Sequence, residues 1–320
     1  MRIGFIGLGN LGSKLAGSLL RNGFKLTVSD LNKNASEALL NGGAFWERSP
    51  KILAENSDLL ITCLPSPEAS AEVMEMEGGV LDGLSEGNIW AEMSTTDEKE
   101  VKRLGALASR KKTMVIDCPV SGGCHRALTG NISIFVGGER IAFDKALPAL
   151  RAMGRLILHT GPLGSASILK VISNYLATSN LVALCEALTI SKASSIDLNT
   201  AFEAIRISSG NSFVHETETK VILNGSRNIN FTIGLVLKDL QLFEAIAQRN
   251  NISLEILPSL IEIFKDGQGR FGPDEWSPNI IRRLEEKIGC TLVADGFPAE
   301  IIDKDEEVEG YEVFPKGSHR

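Results

Sequence analysis

Three glycines near the start of the chain, Gly7, Gly9 and Gly12, stand at the spacing Gly-x-Gly-x-x-Gly. Without Cβ atoms at those places a backbone can turn tightly, approach a pyrophosphate and let the next helix pack close. Asp30 follows 23 positions after Gly7. That is near the spacing at which a carboxylate accepts hydrogen bonds from ribose hydroxyls. Further along, Ser121-Gly122-Gly123 offers a hydroxyl and unobstructed backbone N–H groups. Such a nest suits a carboxylate, although an ordinary turn has the same composition. Lys170 and Asn174 are four apart and share one helix face. Ile168, Val171, Ile172 and Leu176 surround them in sequence. A lysine among so many apolar neighbours either carries protons or snorkels to water. Lys238-Asp239, an adjacent opposite pair, reads by itself as a solvated helix face.

The elements that would position these groups follow from periodicity. Residues 2–6 form a short apolar strand that runs into the glycines. Lys14 to Arg21 has Leu15, Leu19 and Leu20 at helical spacing, and Asn22-Gly23 ends it. Lys25 to Ser29 is a second strand, with Asp30 at its end. This is the strand–turn–helix–strand context that a dinucleotide fingerprint requires. The helix N-terminus adds free N–H groups for the phosphates.

Leu59 to Leu64 is a continuous apolar run stopped by Pro65, as in a buried parallel strand. Further strands are expected at Asn88 to Met93, Thr113 to Asp117 and Ile132 to Val136. Ser94-Thr95-Thr96 either caps the following helix or meets the nicotinamide half of a cofactor. From Ser165 to Ser194 there is neither Pro nor Gly. A helix of that length spans about 45 Å and could bridge two domains. Beyond it the pattern stays helical to about residue 289. Thr291 to Val293 could be a strand, Asp303 to Glu309 is densely acidic, and Pro315 to Arg320 reads as untethered. This tail is expected to be a disordered end or an arm on a neighbouring subunit.

Composition narrows the function classes. The chain has 320 residues, 43% hydrophobic and 23% charged, with net charge −7. That is globular composition, and an acidic chain without a basic block is a poor nucleic-acid binder. Five cysteines with no CxxC spacing read as reduced thiols. Four scattered histidines, His125, His159, His215 and His319, argue against a metal cluster. The longest apolar run, Val171 to Cys185, falls short of the roughly 20 residues a membrane span needs. A soluble, cytoplasmic protein is expected.

Four features in order resemble the β-hydroxyacid dehydrogenase family: Gly7-Leu8-Gly9-Asn10-Leu11-Gly12, Asp117-Cys-Pro-Val-Ser-Gly-Gly123, Gly161-Pro-Leu-Gly164 leading to Lys170 and Asn174, and Lys238-Asp239. That family includes 3-hydroxyisobutyrate dehydrogenase, tartronate semialdehyde reductase and, more distantly, 6-phosphogluconate dehydrogenase. The resemblance covers residues 1 to about 289. It implies an α/β N-terminal Rossmann-type dinucleotide-binding domain and an all-α C-terminal domain joined by a long helix. The domains would be 1–163 for NAD binding, 164–290 for substrate and dimerisation, and 291–320 as an extension.

The resemblance also implies roles. Lys170 would be the catalytic acid/base. Ser121, Gly122 and Gly123 would hold a substrate carboxylate, with Asn174 aiding orientation. Gly7 to Gly12 and Asp30 would bind the cofactor. Leu64 and Pro65 would lie on its adenosine side, Thr95 by the nicotinamide ribose, and Lys238 would reach it from the second domain. The cofactor would be NAD, since a carboxylate at Asp30 repels a 2′-phosphate; Lys33 nearby leaves NADP as the alternative. The substrate would be a small carboxylate-bearing hydroxy acid or aldehyde, and the assembly a homodimer or homotetramer.

The sequence departs from the family pattern at three places. Ser173 replaces the first of two adjacent asparagines, and Ala166 stands where glycine is usual. Cys124-His125-Arg126 after the Ser-Gly-Gly turn is atypical. His125 and Arg126 would face the far end of the substrate or the solvent. Succinic semialdehyde and glyoxylate reductases are rival activities, but they tend to carry a basic residue where Asp30 stands. Imine reductases share the architecture but usually lack a lysine at the Lys170 position. A non-catalytic NAD sensor would leave Lys170 and the Ser-Gly-Gly turn unexplained.

Overall fold

The computed structural model of the chain describes residues 1–317. Ser318, His319 and Arg320, the last three of those read as untethered, lie outside the described residues. The chain divides into two compact units: Met1–Lys170 with the segment from Asp303 onward, and Val171–Ile302.

The first unit is built on one sheet. Its strands are β1 Arg2–Ile6, β2 Lys25–Ser29, β3 Phe45–Trp46, β4 Leu59–Thr62, β5 Ile89–Glu92, β6 Met114–Asp117, β7 Val120–Ser121, β8 Ile132–Gly138, β9 Gly154–Gly161 and β10 Tyr311–Val313. Their order is β10-β9-β8-β6-β5-β4-β1-β2-β3, with β7 paired to β8 off this path. Pairs from β3 to β6 are parallel, and β6 with β8 is antiparallel. Parallel neighbours need crossovers, and helices supply them.

Alternate side chains of the central strands enter two different cores, because successive residues of a strand face opposite sides. Leu59, Ile61, Ile89, Ala91 and Ile116 join one cluster. Leu60, Trp90 and Val115 join the other. A sheet covered on both faces needs continuous apolar strands, which explains the unbroken run Leu59–Thr62, buried at every position. The helix Gly12–Arg21 buries Leu15, Ala16 and Leu19 against the sheet, and Gly23 at φ +80 turns the chain back.

The long helix covers Ser165–Ala193, beginning in the first unit and ending in the second. The division between units falls inside it, after Lys170. By length and composition alone it is apolar enough to cross a membrane. Its Leu181, Leu184, Cys185 and Leu188 are instead buried in the core of the second unit. That unit adds helices Leu198–Arg206, Phe213–Asn224, Ile233–Arg249, Leu257–Phe271 and Arg282–Ile288. Side chains of Asp197, Ser212 and Thr232 cap the first three, each satisfying an otherwise orphaned N–H.

Two expectations about the tail are corrected. Thr291 to Val293 is not a strand. Leu292 is buried, and its N–H donates to Glu285 Oε1 at 2.7 Å, which holds this stretch on the second unit. The tail's strand is β10, parallel to β9 with Glu312 opposite Ile157. The acidic run is therefore neither a loose end nor an arm for another subunit: it returns to its own first unit. Glu307 pairs with Arg21 at 3.1 Å, and Glu312 with Arg140 at 2.5 Å. Strand β9 was also missed in the sequence. It follows the helix Arg140–Met153 with no intervening residue, so no loop signal announces it.

Candidate active site

The glycine turn joins β1 to the first helix, at the C-terminal edge of the parallel strands. Gly7 has φ +98, and a Cβ there would meet the Cys63 carbonyl oxygen at 2.3 Å. At Gly12 a Cβ would sit 2.0 Å from the Gly7 carbonyl oxygen. Around Gly9 a Cβ would meet nothing within 4 Å. Two glycines are thus required by packing, and the third leaves open space. No side chain caps the helix Gly12–Arg21, so its N-terminal dipole is directed at that space. These residues fit a dinucleotide pyrophosphate. Leu8 is buried, Asn10 is exposed and Leu11 is half-buried; the Asn10 carbonyl accepts from Lys14 Nζ at 2.6 Å.

Asp30 ends β2 and ties this turn down. Its Oδ2 accepts from the Leu8 N–H at 2.6 Å, and its Oδ1 from the Asn32 N–H at 2.8 Å. A carboxylate oxygen can accept more than one bond, so ribose hydroxyls can be added. Lys33 Nζ lies 5.8 Å over the Trp46 ring.

Leu64 and Pro65 follow β4, and Thr95 follows β5. Leu64 N–H donates to Ser94 Oγ at 2.7 Å, and Ser94 N–H donates to Glu92 Oε1 at 2.9 Å. This strut joins the two strand ends. Glu92 is fully buried; burial pushes its carboxyl up, against hydrogen bonds from Ser94, Ser70 and Thr62. The Cys63 thiol is pushed up to about 12, by burial first and then by Glu92. The capping reading of Ser94-Thr95-Thr96 is overturned. Asp97 is the cap, accepting from Lys99 N–H at 2.8 Å. Thr95 is half-buried beside the strut.

Ser121 lies in β7 opposite Ser133 of β8. Gly122 and Gly123 follow at φ +129 and +87, conformations that L side chains rarely adopt. Arg126 Cδ lies 3.3 Å from where a Gly122 Cβ would be, and His125 Nδ1 lies 3.0 Å from that of Gly123. Both side chains therefore fold back along this turn, and both residues are half-buried. Burial lowers the His125 imidazole pKa first, and the Arg126 charge adds to the shift.

Asp117, at the end of β6, received no role from the sequence. Its Oδ1 accepts from Gly164 N–H at 2.8 Å, and its Oδ2 from Ser167 N–H and Ser167 Oγ at 2.7 Å each. It therefore binds the first turn of the long helix. Lys170, three residues beyond Ser167 and half-buried, is held by that anchor. Ala166 is fully buried. An acid ahead of Pro-Val-Ser-Gly-Gly was the only available signal for Asp117, and Ser94 had none beyond its position after a strand.

In the second unit Asn174 and Lys238 meet at a third residue. Asn174 Nδ2 donates to Asp239 Oδ2 at 2.5 Å, and Lys238 Nζ lies 3.0 Å from Asp239 Oδ1. Asp239 is only 3% exposed, so the solvated-face reading of Lys238-Asp239 is overturned: the carboxylate is a buried link between two helices. Five cysteines are free. Among the described residues no group of three or more His, Cys, Asp or Glu could hold a metal ion.

Comparison with known proteins adds names to this geometry. Residues 2–161 match the model described as the NAD binding domain of 6-phosphogluconate dehydrogenase. Residues 164–284 match that described as NAD-binding of NADP-dependent 3-hydroxyisobutyrate dehydrogenase. The chain is 30% identical over 295 residues to 2-(hydroxymethyl)glutarate dehydrogenase of Eubacterium barkeri, covering 91% of this chain and 97% of that protein. It is 32% identical over 254 residues to the NAD-dependent L-serine dehydrogenase of Pseudomonas aeruginosa, covering 77% and 85%. The solved 3-hydroxyisobutyrate dehydrogenase of Salmonella typhimurium aligns with TM-score 0.81 at 24% identity, over 88% of this chain and 99% of that one. An imine reductase from Myxococcus stipitatus in complex with NADP+ aligns at 0.62 and 18% identity, over 89% and 99%. At such identities the two structures speak for the fold alone.

Proposed function

The chain belongs to the β-hydroxyacid dehydrogenase family of NAD(P)-dependent oxidoreductases, and from that premise we propose that it interconverts a small 3-hydroxy acid and its semialdehyde with Lys170 as acid/base. When bound, the nicotinamide ring exchanges the hydride with the substrate carbon. The protein's own residues do the rest. The turn Gly7 to Gly12 and the uncapped helix hold the pyrophosphate, and Asp30 accepts from the adenosine ribose. Leu64 and Pro65 line the adenosine side, Thr95 lies by the nicotinamide ribose, and Lys238 contacts the cofactor. Ser121, Gly122 and Gly123 hold the substrate carboxylate, and Asn174 orients the hydroxyl. Lys170 Nζ takes the hydroxyl proton during oxidation and returns it to the carbonyl oxygen during reduction.

One observation carries this reading. Asp117 fixes the start of the Lys170 helix, and the Ser121–Gly123 turn departs from the same strand end only four residues later. Proton carrier and carboxylate seat thus share one anchor, as positioned catalysis requires. NAD is preferred over NADP, because Asp30 stands where a 2′-phosphate would go. The presence of Lys170 argues against an imine reductase. A homodimer or homotetramer formed through the helical unit accounts for the exposed Leu176, Ile190, Ile207 and Phe213, and a cytoplasmic location fits the free thiols.

The test is NADH absorbance with purified protein and a panel of small 3-hydroxy acids, their semialdehydes and C3–C4 sulfonates. It should include L-serine and 2-(hydroxymethyl)glutarate, after which two relatives are named. Turnover of one carboxylate-bearing alcohol with NAD is expected. No turnover across the panel with either cofactor, alongside tight NAD binding, would leave only a nucleotide sensor.

A further inference from the structure

The segment after residue 302 belongs to neither family match, since the second ends at residue 284. It is nevertheless fastened from Asp303 to Val313. Asp303 accepts from Thr129 Oγ1, and from Asn131 Nδ2 at 2.8 Å. Asn131 Nδ2 also donates to the Asp305 carbonyl at 3.1 Å. Glu307 takes Arg21 and Asn22. Gly310 N–H donates to the Arg151 carbonyl at 3.0 Å, and a Cβ at Gly310 would stand 1.9 Å from the Gly154 carbonyl oxygen. Strand β10 then joins β9, and Glu312 binds Arg140.

What Asp303 grips matters more than the number of fastenings. Thr129 is the C-cap of the short helix Cys124–Leu128 that leaves Gly123. Asn131 is 4% exposed, immediately before β8, and its N–H donates to the Arg126 carbonyl at 2.8 Å. Strand β8 carries Ser133 and Ile134, the partners of Ser121 and Val120. The loop from Ser121 to Asn131 is held by one short pairing at its start, by Ser18 Oγ and Arg21 Nη2 on the Ala127 and Leu128 carbonyls at 3.2 and 2.7 Å, and by Asp303 at its end. The Asp303 charge also acts on Arg126 and His125, the two side chains folded against Gly122 and Gly123.

We propose that Asp303 is a positioning residue for substrate binding: the tail is a strap whose first residue fixes the Ser121–Gly123 turn in its carboxylate-holding shape. This rests on the reading of that turn as the carboxylate seat. Two positive-φ glycines give the turn many alternative conformations. Holding its far end removes part of the ordering cost that substrate binding would otherwise carry.

The test uses full-length variants and the best substrate of the panel. Asp303→Ala is expected to raise substrate KM about tenfold, with NAD KM and melting temperature nearly unchanged. Amide exchange should accelerate within residues 121–131. Asp303→Asn, which keeps an acceptor for Thr129 and Asn131, should recover most of the loss. Glu309→Gln, elsewhere on the tail, should behave as wild type. Unchanged KM and exchange in Asp303→Ala would overturn the proposal. So would equal rises of substrate and NAD KM with a lowered melting temperature, since that is general destabilisation. Gly122→Ala is run in parallel. If it leaves substrate KM untouched, the carboxylate seat is misassigned and the exchange data alone decide whether Asp303 orders the turn. If it raises KM while Asp303→Ala does not, only the positioning role fails.

Discussion

At the C-terminal ends of β1, β4 and β5, the groups that would meet a ligand are mostly backbone, and small side chains such as Ser94 brace them from behind. In the second unit the corresponding groups are charged or amide side chains on helices, with Asp239 holding Asn174 on one hand and Lys238 on the other. The first arrangement depends on absent atoms: at Gly7 and Gly12 even a methyl group would strike a carbonyl oxygen. The second depends on paired charge in a place with little water. A backbone site should therefore fail sterically when side chains are added, and a charge site should fail electrostatically when one partner is taken away.

The largest effect should come from the helix that enters both units. Lys170→Ala is expected to lower kcat by about 10²–10⁴-fold, while NADH binding followed by fluorescence stays near wild type. Normal turnover in that variant would remove the proposed chemistry. Next comes the charged cluster. Asp239→Ala removes the buried carboxylate that Lys238 and Asn174 share, at a cost of about 3 kcal/mol in urea unfolding. A loss below about 1 kcal/mol would mean the pair behaves as a surface ion pair and that the contrast between the two regions is false. Gly12→Ala should cost about 2 kcal/mol of stability and weaken NAD binding in calorimetry. Wild-type affinity there would deny the steric half of the comparison.

A pH-dependent effect concerns Glu218, whose carboxyl is pushed up to about 8 by burial. Its folded-state pKa lies above the unfolded one, so native protein holds the extra proton between about pH 4.5 and 8. Stability from this group is fully present below that window and is lost as pH rises through it. Glu218→Gln should thus leave the melting temperature unchanged near pH 4.5 and raise it progressively toward pH 8. A constant offset across that range would refute the assignment.

The same contrast explains what could be read from the sequence. The glycine turn, Asp30 and the apolar run at β4 were legible because sterics and burial permit few other residue types there. The long helix was legible because nothing interrupts it from Ser165 onward. Lys238-Asp239 is ambiguous on residue type alone, since adjacent opposite charges look alike whether water or protein surrounds them. Asp97 was overlooked as a cap because three hydroxyl residues precede it and each is a plausible cap on type alone. Strand β9 was lost for want of a loop, and the tail because its acidic residues find their arginines, at positions 21, 140 and 151, more than 150 residues away.

The three residues of β10 have a consequence for how copies of the chain behave in crowded solution. Strand β9 would otherwise present a ladder of open amides and carbonyls at the rim of the sheet, the sort of margin onto which a foreign strand can be stitched. The appended strand occupies that margin, and at three residues it is itself too short to recruit another. Removing it would open that backbone to neighbouring copies.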